Sequence, residues 1–307
     1  MRPWATLLGT LCALGCCGCG IGPGAAPSAI HLLVTREFGS ARVSGPAAPK
    51  LAGQETVMSL LMRNYRVSTR FGGGFVQSID GLSGGQQAGE PVDWFFYVNG
   101  VEAQKGAADT DVHAGDHVWW DRHDWSQTED VPAVVGSFPE PFLNGLEGKR
   151  YPVRIECEHV SSAACTTINR RLTALGVPAA IAAPGAPGGT DTISVLVGAW
   201  PNIEGYPPAR GLAEGPRQDG VYATFAAHGH TLTVLDQNGK PVRTLAGSAG
   251  LIAATRQGEE APAWIITGTD EAGLDLAAHA FDAATLGGHF AVALTPSGAI
   301  PLPQVGA

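Results

Sequence analysis

The chain has 307 residues, with 19 lysines and arginines against 28 aspartates and glutamates, so its formal net charge is −9. No basic patch interrupts this acidic excess, which excludes nucleic acid from the expected partners, because nucleic-acid recognition begins with clustered lysine and arginine. The length is sufficient for two domains of ordinary size behind an export signal.

The N-terminus has the pattern of an export signal. Arg2 is the only charge before the apolar segment 4–15, which is shorter than the roughly 20 residues that a membrane-spanning helix needs. Small residues and a cluster of cysteines end this segment, which resembles a bacterial lipobox, where a cysteine thiol accepts a diacylglycerol. The pattern predicts lipidation at Cys16, with Cys17 and Cys19 as the alternatives.

These features predict that the protein acts outside the cytoplasm. A signal peptide at 1–15 is followed by a flexible tether at 16–28, rich in glycine, alanine and proline. A lipid on the tether would anchor the folded part to the outer face of the cell membrane and leave it soluble. The alternative is an ordinary cleaved signal and a secreted protein. The membrane, reached through the lipid, is therefore one expected partner.

Residues 29–130 form the first predicted domain. A strand is predicted at 30–35, and Thr56 is placed as the N-cap of a helix, because apolar residues recur at helical spacing after it. The dipeptide Asn99-Gly100 follows an aromatic strand and favours a type I′ hairpin turn, since both residues tolerate positive φ. Further strands are predicted at 75–81, 93–98 and 117–122.

This order of elements, from the helix at 56–62 to the last strand, resembles the transcobalamin-like C-terminal domain of bacterial surface proteins over roughly residues 30–125. The resemblance implies a β-grasp fold, with one helix across a small mixed sheet. In the vertebrate carriers, the related module forms a lid over cobalamin, and an α-helical barrel supplies the other half of the site. This sequence has no series of long helical patterns that would form such a barrel. Cobalamin binding is therefore implied by the resemblance alone, and no cofactor is expected. The module could still supply one face of a composite ligand site.

Aromatic side chains are concentrated in two strands of this domain. Alternate residues of a strand face opposite sides, so one aromatic face points away from the helix. That face is either covered by the second domain or forms a stacking platform for a planar or sugar-like ligand. The candidate ligand-binding residues are Trp94, Tyr97, Asn99, His117, Trp119 and Trp120.

Two short patterns resemble catalytic or metal motifs without their structural context. The segment 81–85 matches G-x-S-x-G in form, but a loop follows it where the nucleophile elbow requires a helix. Histidines and aspartates recur between 113 and 124, and the turn and strand pattern there favours a solvated rim over a metal site. No catalytic residue and no metal site are predicted.

A connector at 131–150 leads to a second predicted domain at 151–307. Its order of strand, helix, strand, meander, strand, helix and strand predicts an α/β sheet with an antiparallel insertion, so the whole chain is assigned to the α+β class. Ser248 is placed as the cap of a short helix that reaches Thr255. Cys157 and Cys165 are predicted to form a disulfide, as expected outside the cytoplasm.

Three functions are compatible with these patterns. The leading hypothesis is a non-catalytic extracytoplasmic lipoprotein that binds a small molecule or an envelope component through the aromatic-rich module. A structural component of the cell envelope is the alternative. An extracytoplasmic enzyme is the second alternative, and it would use Asp219, His228 and Asp270 of the C-terminal domain.

Overall fold

A computed structural model of the chain describes residues 1, 29–44, 47–128, 130–186 and 189–306. Apart from Met1, the predicted signal peptide, the tether and the three candidate cysteines for lipidation (Cys16, Cys17, Cys19) lie outside these residues. Across the described ranges, no helix is both long and apolar enough to cross a membrane. The chain has a mixed α+β fold with several sheets, as the sequence predicts.

Among the residues that the structure describes, the N-terminal unit has one α-helix and eleven strands. The central strand pair, β1 and β11, is parallel, and β8 runs antiparallel to β11 on its other side. The main sheet has the order β2-β1-β11-β8-β7, with β9 paired to β8. The elements are β1 (His31–Arg36), β2 (Ala41–Arg42), β3 (Glu55–Thr56), α1 (Val57–Asn64), β4 (Val67–Arg70), β5 (Phe75–Ile79), β6 (Leu82–Ser83), β7 (Gly85–Gln87), β8 (Glu90–Val98), β9 (Val101–Glu102), β10 (Asp111–Val112) and β11 (His117–Asp124).

Local sequence explains how this unit is delimited. Thr56 is the N-cap of α1, where its hydroxyl accepts a hydrogen bond from the amide of Ser59 while the Ser59 hydroxyl accepts one from the amide of Thr56. Asn99 and Gly100 both have positive φ between β8 and β9, as the predicted hairpin turn requires. The apolar face of α1 packs on one side of the main sheet, against Trp94 and Trp120.

The C-terminal unit is a seven-stranded sheet with helices and a small meander. The strand order is β13-β12-β14-β19-β18-β20-β21, in which the first three pairings are parallel and the last three are antiparallel, and the meander is β15-β16-β17. The elements are β12 (Val153–Cys157), α2 (Ala163–Ala174), β13 (Ala179–Ala182), β14 (Ile193–Ala199), α3 (Trp200–Ile203), α4 (Pro207–Glu214), α5 (Pro216–Asp219), β15 (Ala223–Phe225), β16 (Leu232–Leu235), β17 (Pro241–Leu245), β18 (Gly250–Thr255), β19 (Ala263–Gly268), α6 (Glu271–His279), α7 (Ala283–Leu286), β20 (Ala291–Thr295) and β21 (Gly298–Leu302).

One predicted helix is wrong. The segment after Ser248 is the strand β18, which lies between β19 and β20 and is buried along its whole length. A short apolar segment buried on both faces has no period that separates a strand from a helix, so its neighbours in the sheet decide its conformation. The Ser248 hydroxyl instead donates a hydrogen bond to the Asp270 carboxylate, 2.8 Å away.

The predicted disulfide between Cys157 and Cys165 is present. It joins the end of β12 to the first turn of α2, and both sulfur-bearing residues are fully buried. The two positions are eight residues apart, and closing so short a loop stabilises the fold by about 2.5 kcal/mol on the chain-entropy estimate. The bridge therefore fixes the first βα connection of the C-terminal sheet.

Candidate functional site

The aromatic strands of the N-terminal unit bury both of their faces. Trp94 and Trp120 face α1, while Tyr97 and Trp119 face the C-terminal unit, where the ring of Phe290 lies 5.6 Å from that of Tyr97 and 5.2 Å from that of Trp119. Tyr97 and Trp119 are each 0% exposed. The second face is thus covered within the chain, and neither indole nor phenol offers an open surface to a ligand in this arrangement.

Asn99 and His117 also serve the interior of the protein. The Asn99 side chain donates hydrogen bonds to the carboxylate of Asp116 and to the carbonyl of Gly145, both at 2.8 Å, and accepts one from the amide of His117. Burial lowers the pKa of His117 to about 4, so its imidazole is neutral at physiological pH. These contacts hold the β8–β9 turn against the connector. The sequence alone does not show this contact.

The predicted solvated rim between 113 and 124 is wrong for four of its members. Asp116, Asp121, His123 and Asp124 are buried, because the connector and the C-terminal unit cover the end of β11. In the part of the chain that the structure describes, no group of three histidine, cysteine, aspartate or glutamate side chains is arranged to hold a metal ion.

Asp121 is the centre of a buried hydrogen-bond network. Its Oδ1 accepts from the amide of Phe38 at 3.0 Å and lies 2.8 Å from Nδ1 of His123. Its Oδ2 accepts from the hydroxyl of Thr35 at 2.5 Å and from the amide of Gly39 at 2.9 Å. Four partners thus satisfy a carboxylate that is 0% exposed. The network holds the β1–β2 turn against β11.

The same network reaches the C-terminal unit. The His123 imidazole is stacked between the rings of Phe38 and Phe95, each 4.5 Å away, and the Phe290 ring meets it edge-on at 5.4 Å. Gly39 approaches Gly288 so closely that a Cβ at Gly39 would clash with the Gly288 carbonyl. The two units therefore meet across a closely packed aromatic interface.

The residues considered for catalysis lie on separate elements. Asp270 caps α6, where its Oδ1 accepts from the amide of Gly273 at 2.7 Å. Asp219 is fully buried at the end of α5, and burial raises its pKa to about 7. His228 is exposed in the turn between β15 and β16, with a φ of +69°. No hydrogen bond or ion pair between described residues joins any two of the three.

A cleft of about 520 Å³ lies where the β8–β9 hairpin, the connector and the C-terminal unit meet. Its volume is in the range of sites for small molecules. Apolar walls come from Val98, Val101 and Ala103, from Leu146 of the connector, and from Tyr151 at the start of the C-terminal domain. Its lining has five carboxyl groups against one lysine and one arginine: Glu102, Asp109, Asp111, Glu147, Glu259, Lys105 and Arg256.

Much of the positive charge in the cleft is already engaged. Lys105 pairs with Glu147 across the cleft, with 3.5 Å between Nζ and Oε1. The Arg256 guanidinium donates hydrogen bonds to the backbone carbonyls of Glu259 and Glu260. Asp109, Asp111 and Glu259 are exposed to solvent. The cleft therefore presents an acidic, partly apolar surface that would favour a cation with an aliphatic portion.

Glu102 is the most buried charged residue of this lining. It lies on β9 opposite Tyr97, is 9% exposed, and its Oε2 accepts a hydrogen bond from the amide of Val131 at 2.9 Å. Its Oε1 accepts none from any residue that the structure describes. Burial, and then the nearby charge of Asp130, raise the pKa of Glu102 to about 8. A carboxyl group that is costly to ionise thus lines an acidic cleft.

Sequence reasoning did not identify Glu102 or the cleft. The position after Asn99-Gly100-Val101 would have been predicted as the polar side of a return strand. Its burial depends on Val131 and Pro132 of the connector, whose backbone groups bond to Glu102. No local pattern shows that a connector 30 residues away will fold back over a strand.

Removing the ionisable group at position 102 should change how stability depends on pH. The folded protein keeps a proton on Glu102 up to about pH 8, whereas the unfolded chain releases it near 4.5. Stability should therefore fall as pH rises between these values, and this part of the fall should be absent in Glu102→Gln. Urea unfolding at pH 5, 6.5, 8 and 9 measures the free energy of unfolding of both proteins, and Glu90→Gln, at an exposed position, is the control. If the free energies of unfolding of wild type and Glu102→Gln differ by the same amount at every pH, the proposed protonation of Glu102 is contradicted.

Comparison with known proteins relates part of the chain to a family without an assigned function. No curated protein matches the chain. Among solved structures, a crystal structure of a candidate metal-binding protein from Ruminococcus gnavus is similar at 13% identity and a TM-score of 0.26, and the match covers 32% of this chain and 97% of that one. Residues 54–124, from the start of β3 to the end of β11, match the family described as Domain of unknown function (DUF4430).

Proposed function

We propose that the protein is a non-catalytic binding protein, exported and held at the outer face of the cell membrane by an N-terminal lipid, and that its ligand occupies the cleft between the two units. The cleft carries this proposal, because it is lined by the β8–β9 hairpin, by the connector and by residues of the C-terminal unit. The cysteine cluster at 16–19 supports the anchor.

This proposal moves the binding site away from the aromatic residues that the sequence suggested. The resemblance to a transcobalamin-like module supports a role as one wall of a composite site. Here the second wall would come from Leu146, Tyr151 and Arg256. The aromatic face instead keeps the two units in the relative position that forms the cleft. The buried tryptophans would thus support ligand binding indirectly.

A thermal-shift panel of small polar compounds tests the binding role. We expect at least one compound to raise the melting temperature of the wild-type protein, since a ligand that binds only the folded state stabilises it. The same compound should have no effect on Ala103→Trp, in which an indole would fill the cleft. The matched control is Ala180→Trp, on the exposed face of the edge strand β13.

Two outcomes would contradict the proposed binding role. A panel in which nothing stabilises the wild type would favour the structural alternative, in which the protein is an envelope component. Equal stabilisation of wild type and Ala103→Trp would place the ligand outside the cleft. Replacing Cys16, Cys17 and Cys19 together by serine tests the anchor separately, because the protein should then be lost from the membrane fraction.

A further inference from the structure

We infer that the cleft selects a small aliphatic ammonium ligand, of the diamine or polyamine class, with one ammonium group placed at the Oε1 atom of Glu102. This inference rests on the proposed function and specifies the ligand of the same site. Three observations carry it: the imbalance of charge in the lining, a largely buried carboxyl group whose Oε1 has no hydrogen-bond partner among the described residues, and the apolar wall beside it.

The charge of the lining decides the sign of the ligand. Lys105 is paired with Glu147, which leaves Asp109, Asp111 and Glu259 against the single charge of Arg256. The negative charge of the lining is therefore in excess. An anion would meet this acidic surface and would also oppose the net charge of −9 of the whole chain. A cation would be attracted by the acidic lining and by the net negative charge of the chain.

Glu102 identifies the contact within the cleft. It is nine-tenths buried and lines the cavity, yet one of its two oxygens accepts no hydrogen bond within the described chain. At neutral pH this carboxyl group keeps its proton, and an ammonium group at Oε1 would displace that proton to solvent and form a charge-assisted hydrogen bond with the carboxylate. The Val131 amide holds the other oxygen and thereby fixes the direction of the carboxyl group.

The lining also distinguishes an organic cation from a metal ion. A bound calcium ion takes six to eight oxygen ligands, whereas an ammonium group has three donors that one carboxylate and neutral acceptors can satisfy. The described residues hold no cluster of three acidic, histidine or cysteine side chains suited to a metal. Val98, Val101 and Leu146 offer instead a surface for the methylene chain of an aliphatic amine.

Isothermal titration of the full-length chain, with Cys16, Cys17 and Cys19 replaced by serine to prevent lipidation, tests this inference. The probes are spermidine, putrescine, the dicarboxylate glutarate, and calcium and zinc ions, all in 0.15 M salt (roughly an 8 Å screening length), so that long-range attraction is weak. We expect spermidine and putrescine to bind and the other probes not to. Glu102→Gln should weaken spermidine binding at least about tenfold, and Glu90→Gln should leave it unchanged.

A second variant keeps the test valid if Glu102→Gln folds poorly. Glu259 is exposed on the C-terminal side of the cleft, so Glu259→Gln should leave the fold intact and weaken spermidine binding by a smaller factor, about threefold. Binding of glutarate or of a metal ion in place of the amines would overturn the inference. So would unchanged spermidine affinity in both cleft variants, or no amine binding at all. If the thermal-shift panel still finds a ligand that Ala103→Trp excludes, the binding function stands and only the ligand class is wrong.

Discussion

Replacing Asp121 with alanine should lower the free energy of unfolding by about 4 kcal/mol. The carboxylate is fully buried and accepts hydrogen bonds from Thr35, Phe38 and Gly39, besides its contact with His123. Its removal would leave two backbone amides and an imidazole buried without their acceptor. Urea unfolding monitored by circular dichroism gives the change directly.

The control for this change is Asp191→Ala, which removes an exposed carboxylate ahead of β14 and should alter stability by less than about 0.5 kcal/mol. Asp121→Asn adds a graded comparison, because the amide keeps the volume but places an NH2 group against donors. It should also be clearly destabilising. A loss below about 1 kcal/mol in Asp121→Ala would show that the network contributes little to the stability of the fold.

Replacing Phe290 with alanine should cost about 3–5 kcal/mol and weaken the coupling between the two units. The ring is 2% exposed and lies within 5.2–5.6 Å of the rings of Phe38, Tyr97, Trp119 and His123, all in the N-terminal unit. Truncation would therefore leave a cavity at the interface. In scanning calorimetry, we expect one transition for the wild type and two separated transitions for the variant.

Phe225→Ala is the matched control for the coupling. The Phe225 ring is stacked on Trp200 at 4.2 Å, within the C-terminal unit and away from the interface. Its loss should lower the melting temperature without splitting the transition. If Phe290→Ala also unfolds in a single transition with little change in melting temperature, then the aromatic contacts do not couple the unfolding of the two units.

Local signals in the sequence predicted the features that local interactions determine. Thr56 caps its helix because a hydroxyl before a helix satisfies free amides whatever the tertiary context. Asn99-Gly100 forms the turn because few residues tolerate positive φ twice in succession. The strict alternation of β8 correctly assigned Trp94 and Tyr97 to opposite faces.

Features that depend on distant parts of the chain could not be predicted in this way. The sequence after Ser248 favours a helix, but its conformation as β18 follows from pairing with β19 and β20. The sequence places Asp121 and His123 on a solvated rim, because only the fold brings Phe290 over His123. The alternation in β8 allowed two interpretations of the second aromatic face: a surface covered by the C-terminal unit, or a platform for a ligand. The structure shows the first.

The candidate site was missed for the same physical reason. Glu102 lies on β9 and Lys105 soon after it, Tyr151 follows the connector, and Arg256 lies in the turn after β18, so the site exists only once these segments meet. Each residue alone has the pattern of an ordinary surface position. No spacing in the sequence groups them, and the burial of Glu102 depends on Val131 and Pro132 of the connector.

Hydrogen exchange measured by mass spectrometry, with and without saturating spermidine, tests most directly whether the cleft is the binding site. The account predicts slower exchange in segments 98–113, 146–151 and 256–259, which line the cleft, and little change in the centre of β8 and β11. Protection confined to residues 94–97 and 117–120 would return the site to the aromatic strands and contradict the account. Exchange unaffected by spermidine in the three cleft segments would contradict it as well.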